Sequence, residues 1–581
     1  ARYLIEQGVS AGDKVGLCLD RCMELMPTVL GILKAGGTYI PLDASYPHGR
    51  ITYIIENSGI QKVLTRSDIA SKLPDGAWQY ILLDDDRAAI EKCDPAELNM
   101  LGCADQLLYM IYTSGSTGRP KGTGAFHRAE VNLLSWYCRE FTMTESDNVL
   151  LMSAIGFDLT QKNVFAPLMS GGRLCLLDQR FYDTSVIIDH IDRFSITVVN
   201  CTPSAFSRLL SFATEDIYQR IASLRFVVLG GEPIIMSRLT DWFGNPYCNA
   251  QIVNSYGPTE CTDVVSAFRV ANPSDYLNSN VPIGSALPGF EIRIVDDEHL
   301  TVSDGGQGQI AISGIGVGAG YHNNPELTAL SFVSDPKHSN LTMYLTGDAG
   351  RILENGQIDY LGRIDSQVKV RGFRIELGEV EGHLNAITGV SNACVLVKQN
   401  QQNDKHMVAY ILLDEGVDFT ANSLKCEMKK RVPDYLIPAA FVVIEKLPLN
   451  ANGKVDKQQL PEPDEFCYDN NEYVMPKNEI ETQLADIWQD VLGITRVSVN
   501  DDFFDLGGHS LLVTQVVSRI REEMEIDISL RTLFEATTIA TVAEIIAVVM
   551  PSPEMTRNSD QTGCGAQGDE DDDDEFEEFT L

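Results

Sequence analysis

Two stretches hold residues whose types and order could do chemistry. The first, YTSGSTGRPKG from Tyr112 to Gly122, alternates hydroxyls and glycines ahead of a lysine. Thr113, Ser114, Gly115, Ser116, Thr117, Gly118 and Lys121 can together present hydroxyls, backbone N–H groups and an ammonium to a polyphosphate. The G-x-x-x-x-G-K-[ST] spacing of a Walker loop is absent, and a Ser/Gly/Thr-rich loop without function has the same composition. The second stretch, DDFFDLGGHSLL from Asp501, sets Ser510 after two glycines and a histidine, at the start of an apolar-periodic helix. A nucleophilic serine needs a base, and His509, adjacent in the chain, generally points away from its neighbour's hydroxyl. Taken alone, Ser510 reads as a helix cap.

These residues must be positioned by several folding units. The chain has 581 residues, which at roughly 100–200 residues per domain implies three or more domains. Lys and Arg number 45 against 82 Asp and Glu, a formal charge of −37, and this argues against nucleic acid or an anionic membrane as the main partner. Thirteen cysteines are scattered without a C-x-x-C pair, so neither a disulfide framework nor a structural zinc site is indicated, and reduced thiols in a cytoplasm are expected. No apolar run reaches the roughly 18 residues of a membrane span, and the N-terminus lacks the regions of a signal peptide. The chain opens at Ala1 inside an amphipathic pattern, ARYLIEQGV, and reads as a fragment missing its natural start.

Up to about residue 360, β-rich runs such as KVGLCL, ITVVN and LRFVVLGG alternate with helical segments such as MPTVLGILKAGG, the signature of α/β layers with parallel sheets. Around Gly362 a charged turn, GRIDSQVKVRGFRIE, leads into a smaller mixed region. The expected organisation is a large α/β part over 1–363, a small α+β subdomain over 364–460, a linker over 461–475, an all-α bundle over 476–550 and a disordered acidic tail over 551–581. In the bundle, Ile480, Leu484, Ile487, Trp488 and Val491 fall on one helical face.

The glycine-rich loop resembles the phosphate loop of the adenylate-forming enzymes. The likeness continues through LKAGGTYIPLD (33–43), FDLT (157–160), NSYGPTE (254–260), YLTGDAGR (344–351), GRIDSQVKVRGFRIELGEVE (362–381) and NGKVDKQQL (452–460), all in the family's order. Together these resemble the adenylation domain of a nonribosomal peptide synthetase over the first 460 residues or so. DLGGHSLL is then similar to the attachment site of a four-helix peptidyl carrier domain. The resemblance implies an adenylate-forming fold and a reaction in two halves. An amino-acid carboxylate attacks the α-phosphate of ATP, releasing pyrophosphate, and the acyl group passes to a 4′-phosphopantetheine thiol on Ser510, which a separate phosphopantetheinyl transferase has modified. Such chemistry is mostly positioning and charge neutralisation.

By the same resemblance, Lys454 would bridge substrate carboxylate and α-phosphate. Thr259 and Glu260 would serve phosphate and Mg²⁺, a hard cation suited to oxygen ligands. Tyr256 would stack on adenine, Asp348 would accept both ribose hydroxyls with Arg363 beside it, and Asp365 would be the hinge about which the small subdomain rotates. Gly372 would leave room for the pantetheine arm. For Tyr256 a core aromatic, and for Asp348 and Asp365 an ordinary turn aspartate, are the plain alternatives.

Asp158 would pair with the substrate's α-ammonium, and Leu159, Lys162, Asn200, Val228, Gly230, Ser255, Asp263 and Val264 would wall its side chain. Lys162 and Asp263 are charges in a buried setting, so they either pair with each other or meet a polar substrate group. A polar amino acid is expected. The tail, DEDDDDEFEEFTL, places nine acids among its thirteen residues and interleaves Phe576, Phe579 and Leu581. It resembles terminal docking segments for a downstream part of a synthetase such as a condensation domain, and is otherwise a solubilising run. A CoA-type ligase, a carboxylic-acid reductase and a non-catalytic carrier platform are the rival readings. Asp158 and DLGGHS disfavour the first, the lack of a following nucleotide-binding domain disfavours the second, and Lys121, Glu260, Asp348 and Lys454 together disfavour the third.

Overall fold

The computed structural model describes residues 1–549 except 97, 99–101, 116–117, 178–183, 211–213, 278, 304, 366, 371, 400–404, 415, 418, 445, 447, 449–456, 458, 464–473, 495, 504–505, 507, 509, 525, 527, 530–531 and 534–535. Lys454, His509 and the acidic tail lie outside the described residues, as do the side chains of Ser510 and four other helical positions. The chain divides into two compact units, Ala1–Glu472 with Phe503–Gln515, and Tyr473–Asp502 with Val516–Leu581.

In the first unit, two sheets share one core. One has six strands in the order Gln79–Leu82, Lys62–Thr65, Lys14–Leu17, Thr38–Pro41, Leu107–Thr113, Lys121–Phe126, parallel except for the last pair. The other has seven, with Arg173–Leu176, Asn148–Leu151, Val198–Cys201, Phe226–Gly230 and Gln251–Tyr256 parallel, and Ser266–Val270 and Ser285–Ala286 added antiparallel. Strands such as Phe226–Gly230 are buried along their whole length, as continuous apolar runs in covered parallel sheets should be. The helices His127–Glu140 and Gln161–Ser170 contribute Leu133, Leu134, Tyr137, Val164 and Phe165 to the same core as Leu17, Tyr39, Val149 and Val228.

The alternating pattern does not persist to residue 360. From Phe290 to Arg363 the chain forms an antiparallel sheet built on the long strand Thr342–Ile352. Short turns such as Asp296–Leu300 permit hairpins there, whereas parallel pairing would need helical crossovers. Beyond Arg363, the hairpin Gln367–Val370/Phe373–Glu376, the helix Leu377–Asn385, and the sheet Val390–Gln399, Lys405–Leu413, Ala440–Val443 close a second core with the helix Ala421–Lys429.

The second unit holds the helix Glu479–Leu492, packed against the helix Ile539–Val549. Asn478 caps the former by accepting from Glu481 N at 2.8 Å, and Leu484, Ile487, Trp488 and Val491 are buried as their spacing predicts, with Ile480 only half-buried. The helix Ser510–Met524 runs from the Phe503–Gln515 segment of the first unit into the second. Among the described residues no helix is long and apolar enough to cross a membrane.

Candidate active site

The glycine-rich stretch connects the antiparallel strands Leu107–Thr113 and Lys121–Phe126, which pair Thr113 with Lys121. A β-carbon on Gly115 would stand 2.1 Å from the Arg119 carbonyl oxygen, so the loop requires glycine there. Lys121 is buried, with Nζ 3.7 Å from Glu260 and 3.9 Å from Glu376, and it lies over the Tyr321 ring. Burial, then the neighbouring Arg374, pulls its ammonium below the usual lysine range.

Glu260 is fully buried in the short turn Thr259–Cys261, beside the half-buried Thr259. Its carboxylate accepts from Arg374 at 2.8 Å and from the Tyr321 hydroxyl at 2.7 Å. Against the cost of burial, Arg374 first and Lys121 second hold it down at about 2. A magnesium ion on Glu260 does not fit this arrangement, because two cations and a hydroxyl already serve the carboxylate. Among the described residues no group of three or more potential ligands converges elsewhere.

Tyr256 donates from its hydroxyl to Asp348 at 2.5 Å, and the other Asp348 oxygen accepts from Arg363 at 3.0 Å. Arg363 also donates to the Thr346 carbonyl at 2.8 Å and, through Nε at 2.9 Å, to Asp365. The expected ribose acceptor, adenine neighbour and hinge aspartate are therefore joined through one guanidinium.

The expected side-chain wall is assembled from three adjacent parallel strands and one helix. Register places Asn200 beside Val228 and Gly230 beside Ser255. Leu159 gathers the remainder, since its carbonyl accepts from Lys162 Nζ at 3.2 Å and from Asn200 at 3.3 Å. The site thus lies at the carboxyl ends of parallel strands, where α/β sheets commonly bind ligands. Of the two alternatives for the buried charges, the structure shows the first: Lys162 forms an ion pair with Asp263. Thr262 and Asp263 both occupy left-handed backbone, at φ 60° and 64°, a strain associated with functional positions. Burial pushes Asp263 up to about 6, with Lys162 opposing and Asp158 adding. Asp158 is half-buried and accepts from its own neighbour, Leu159 N, at 2.7 Å. Val264 is buried beside Asp263.

Gly372 has φ +81° and a β-carbon there would meet Thr202 Cγ2 at 2.5 Å, so close approach of the hairpin to the large part requires glycine. Phe373, next to it, meets Phe157 edge-on at 5.2 Å. Glu376 and Glu379 sit in the motif that begins at Gly362, yet the sequence assigned them no role. Arg50, Tyr321 and Glu130 carried no signal at all. Glu130 is buried on the helix His127–Glu140 with both oxygens lacking a hydrogen-bond partner among the described residues. Burial, then the charge of Asp263, pushes it up to about 8.

Comparison with known proteins decides the family. Residues 1–322 match the AMP-binding enzyme family. The chain belongs to it. Residues 379–454 match the C-terminal domain of AMP-binding enzymes, and 482–546 match the phosphopantetheine attachment site. This AMP-binding enzyme is 36% identical over 564 residues to gramicidin S synthase 2 of Aneurinibacillus migulanus, covering 96% of this chain and 12% of that protein. It is 37% identical over 548 residues to tyrocidine synthase 3 of Brevibacillus parabrevis, covering 94% and 8%. The chain therefore spans about a tenth of the length of these relatives. Among solved structures it resembles a four-domain holo nonribosomal peptide synthetase bound to AMP and glycine (31% identity, TM-score 0.55, 94% of this chain and 40% of that one). A holo protein containing adenylation and peptidyl carrier domains shares the fold at TM-score 0.78, 24% identity, 94% and 90% coverage.

Proposed function

We propose that this AMP-binding enzyme activates an amino acid as its aminoacyl-adenylate and loads it onto its own carrier segment within nonribosomal peptide synthesis. The observation that carries the reading is the wall of Leu159, Lys162, Asn200, Gly230, Ser255 and Asp263 gathered beside Asp158, in a chain that also matches a phosphopantetheine attachment site. A substrate carboxylate oxygen attacks the α-phosphorus of ATP and the bond to the β-phosphate oxygen breaks, so pyrophosphate leaves. Asp158 holds the α-ammonium, a charge-assisted contact that fixes the attacking end. Lys454 neutralises the charge gathering at the α-phosphate. Asp348 and Arg363 orient the nucleoside, with Tyr256 against its base.

Ser510 opens the helix Ser510–Met524. The 4′-phosphopantetheine it would carry supplies the thiol that accepts the acyl group as AMP leaves.

The side-chain wall favours a polar amino acid. Its own charges pair, but Asn200 Oδ1 is a buried acceptor without a partner among the described residues, and a donor-bearing substrate would satisfy it. Amino-acid-dependent exchange of radiolabelled pyrophosphate into ATP, run across the twenty amino acids, tests both statements. Exchange above background for a polar member supports them, and preference for Val, Leu or Phe would sink the polar reading.

The partners proposed are a phosphopantetheinyl transferase and a downstream synthetase protein, in the cytoplasm. Phe576 and Phe579 would enter a basic, strand-edged docking domain while the acids steer encounter. Unchanged transfer downstream after deletion of 569–581 would refute docking through the tail.

A further inference from the structure

The strand Phe373–Glu376 and the helix Leu377–Asn385 bring small-subdomain groups directly onto the glycine-rich loop. Ser114 Oγ donates to the Arg374 carbonyl at 2.6 Å, and Gly115 N–H donates to Glu379 Oε2 at 3.0 Å. The other Glu379 oxygen accepts from Arg50 Nη1 at 3.0 Å, and Arg50 Nη2 donates to the Tyr435 hydroxyl at 3.1 Å. The Arg50 and Glu379 side chains are 4% and 0% exposed. Burial raises the Glu379 carboxyl, and Arg50 is the main group opposing that rise. At the same time Lys121 faces Glu260 and Glu376.

A loop whose composition suits phosphate thus gives its N–H to a carboxylate, an anion in an anion's place. We propose that Glu379 is a positioning residue that takes the loop's anion site for itself. It docks the small subdomain onto Ser114 and Gly115 and, while docked, excludes a polyphosphate from them. One N–H cannot serve both acceptors at 3 Å, and two anions drawn to one buried site repel. The docked arrangement and the phosphate-filled loop are then alternative states of one equilibrium. ATP binds the undocked state, so its apparent affinity falls by the undocked fraction. This rests on the reading of the loop as the phosphate site.

The test uses the full pantetheinylated chain and Glu379→Gln, which keeps the shape and removes the charge. Three quantities are read: KM for ATP in the exchange reaction, the rate of acyl transfer from preformed adenylate, and inhibition of that transfer by inorganic tripolyphosphate. KM for ATP falls about three- to tenfold with exchange turnover little changed, transfer slows, and the tripolyphosphate inhibition constant falls in step with KM. An unchanged or raised KM for ATP overturns the proposal. Should Glu379→Gln lower the melting temperature appreciably, Glu379→Asp is read instead. Its carboxylate is too short to span Arg50 and Gly115, and the same directions are expected at smaller size, with KM unchanged or raised again counting against. Lys121→Met separates the two layers. If it raises KM for ATP while Glu379→Gln does not lower it, only the Glu379 assignment fails. If Lys121→Met leaves KM unchanged and tripolyphosphate does not inhibit the unsubstituted chain, the phosphate-loop reading itself fails.

Discussion

At the scale of single residues, the buried ion pair of Lys162 and Asp263 and the lone carboxyl of Glu130 are the most informative groups. Asp263→Asn leaves a fully buried ammonium uncompensated and should cost about 3–5 kcal/mol in thermal or denaturant unfolding. Lys162→Met combined with Asp263→Asn, which keeps a residue suited to the left-handed backbone, should recover much of that loss while changing amino-acid preference in the exchange panel. Glu130 binds its proton more tightly folded, at about 8, than unfolded, where a glutamate sits near 4.3. Between these values the native state holds more protons, so this group's contribution to stability declines as pH rises from about 4.5 to 8 and is constant outside that window. Glu130→Gln removes the decline, and above pH 8 the variant should be more stable than the parent by roughly 2 kcal/mol or more. A parallel pH dependence in both proteins would contradict this. The sequence pointed to Lys162 and Asp263 through motif resemblance, and the choice between mutual pairing and a substrate partner was left to the structure. Glu130 was invisible because it occupies an ordinary-looking place in a helix whose other buried positions are apolar.

At the scale of elements, the hairpin Gln367–Val370/Phe373–Glu376 decides how the small subdomain meets the loop. Gly372→Ala adds a β-carbon against Thr202 at a positive φ. It should slow acyl transfer at least tenfold and leave pyrophosphate exchange within about twofold, because only the docked arrangement needs that approach. Equal losses in both half-reactions would place Gly372 in overall folding instead. In the second unit, Asn478→Ala removes a side-chain cap and should cost about 1 kcal/mol in melting of that unit. Local elements were the most legible part of the chain. The helix Glu479–Leu492 and the strand Phe226–Gly230 follow from periodicity, whereas the turn expected around Gly362 falls after it, since Gly362 lies within the strand Ile358–Arg363. The antiparallel sheet after Phe290 was less legible, since short apolar runs such as QIAISG read alike in parallel and antiparallel settings. Arg50, Tyr321 and Glu379 were missed for a different reason: the pair of Arg50 with Glu379 spans 329 residues, and the bond from Tyr321 to Glu260 spans 61. No local period records such contacts.

At the scale of the whole molecule, an AMP-binding part and a segment matching a phosphopantetheine attachment site share one chain, and the proposed function has the second receive what the first activates. Length, acidity and the ordered motifs made this architecture legible in the sequence, while Lys454 and the tail lie outside the described residues. The most direct measurement is the intact mass of the full chain after incubation with a phosphopantetheinyl transferase, CoA, Mg-ATP and the twenty amino acids. A pantetheine increment that Ser510→Ala abolishes is expected, followed by one aminoacyl increment that Lys454→Ala abolishes and whose size identifies a polar residue. A pantetheine increment that acquires no aminoacyl mass, with no pyrophosphate exchange for any amino acid, would contradict self-loading and leave a carrier loaded by another protein.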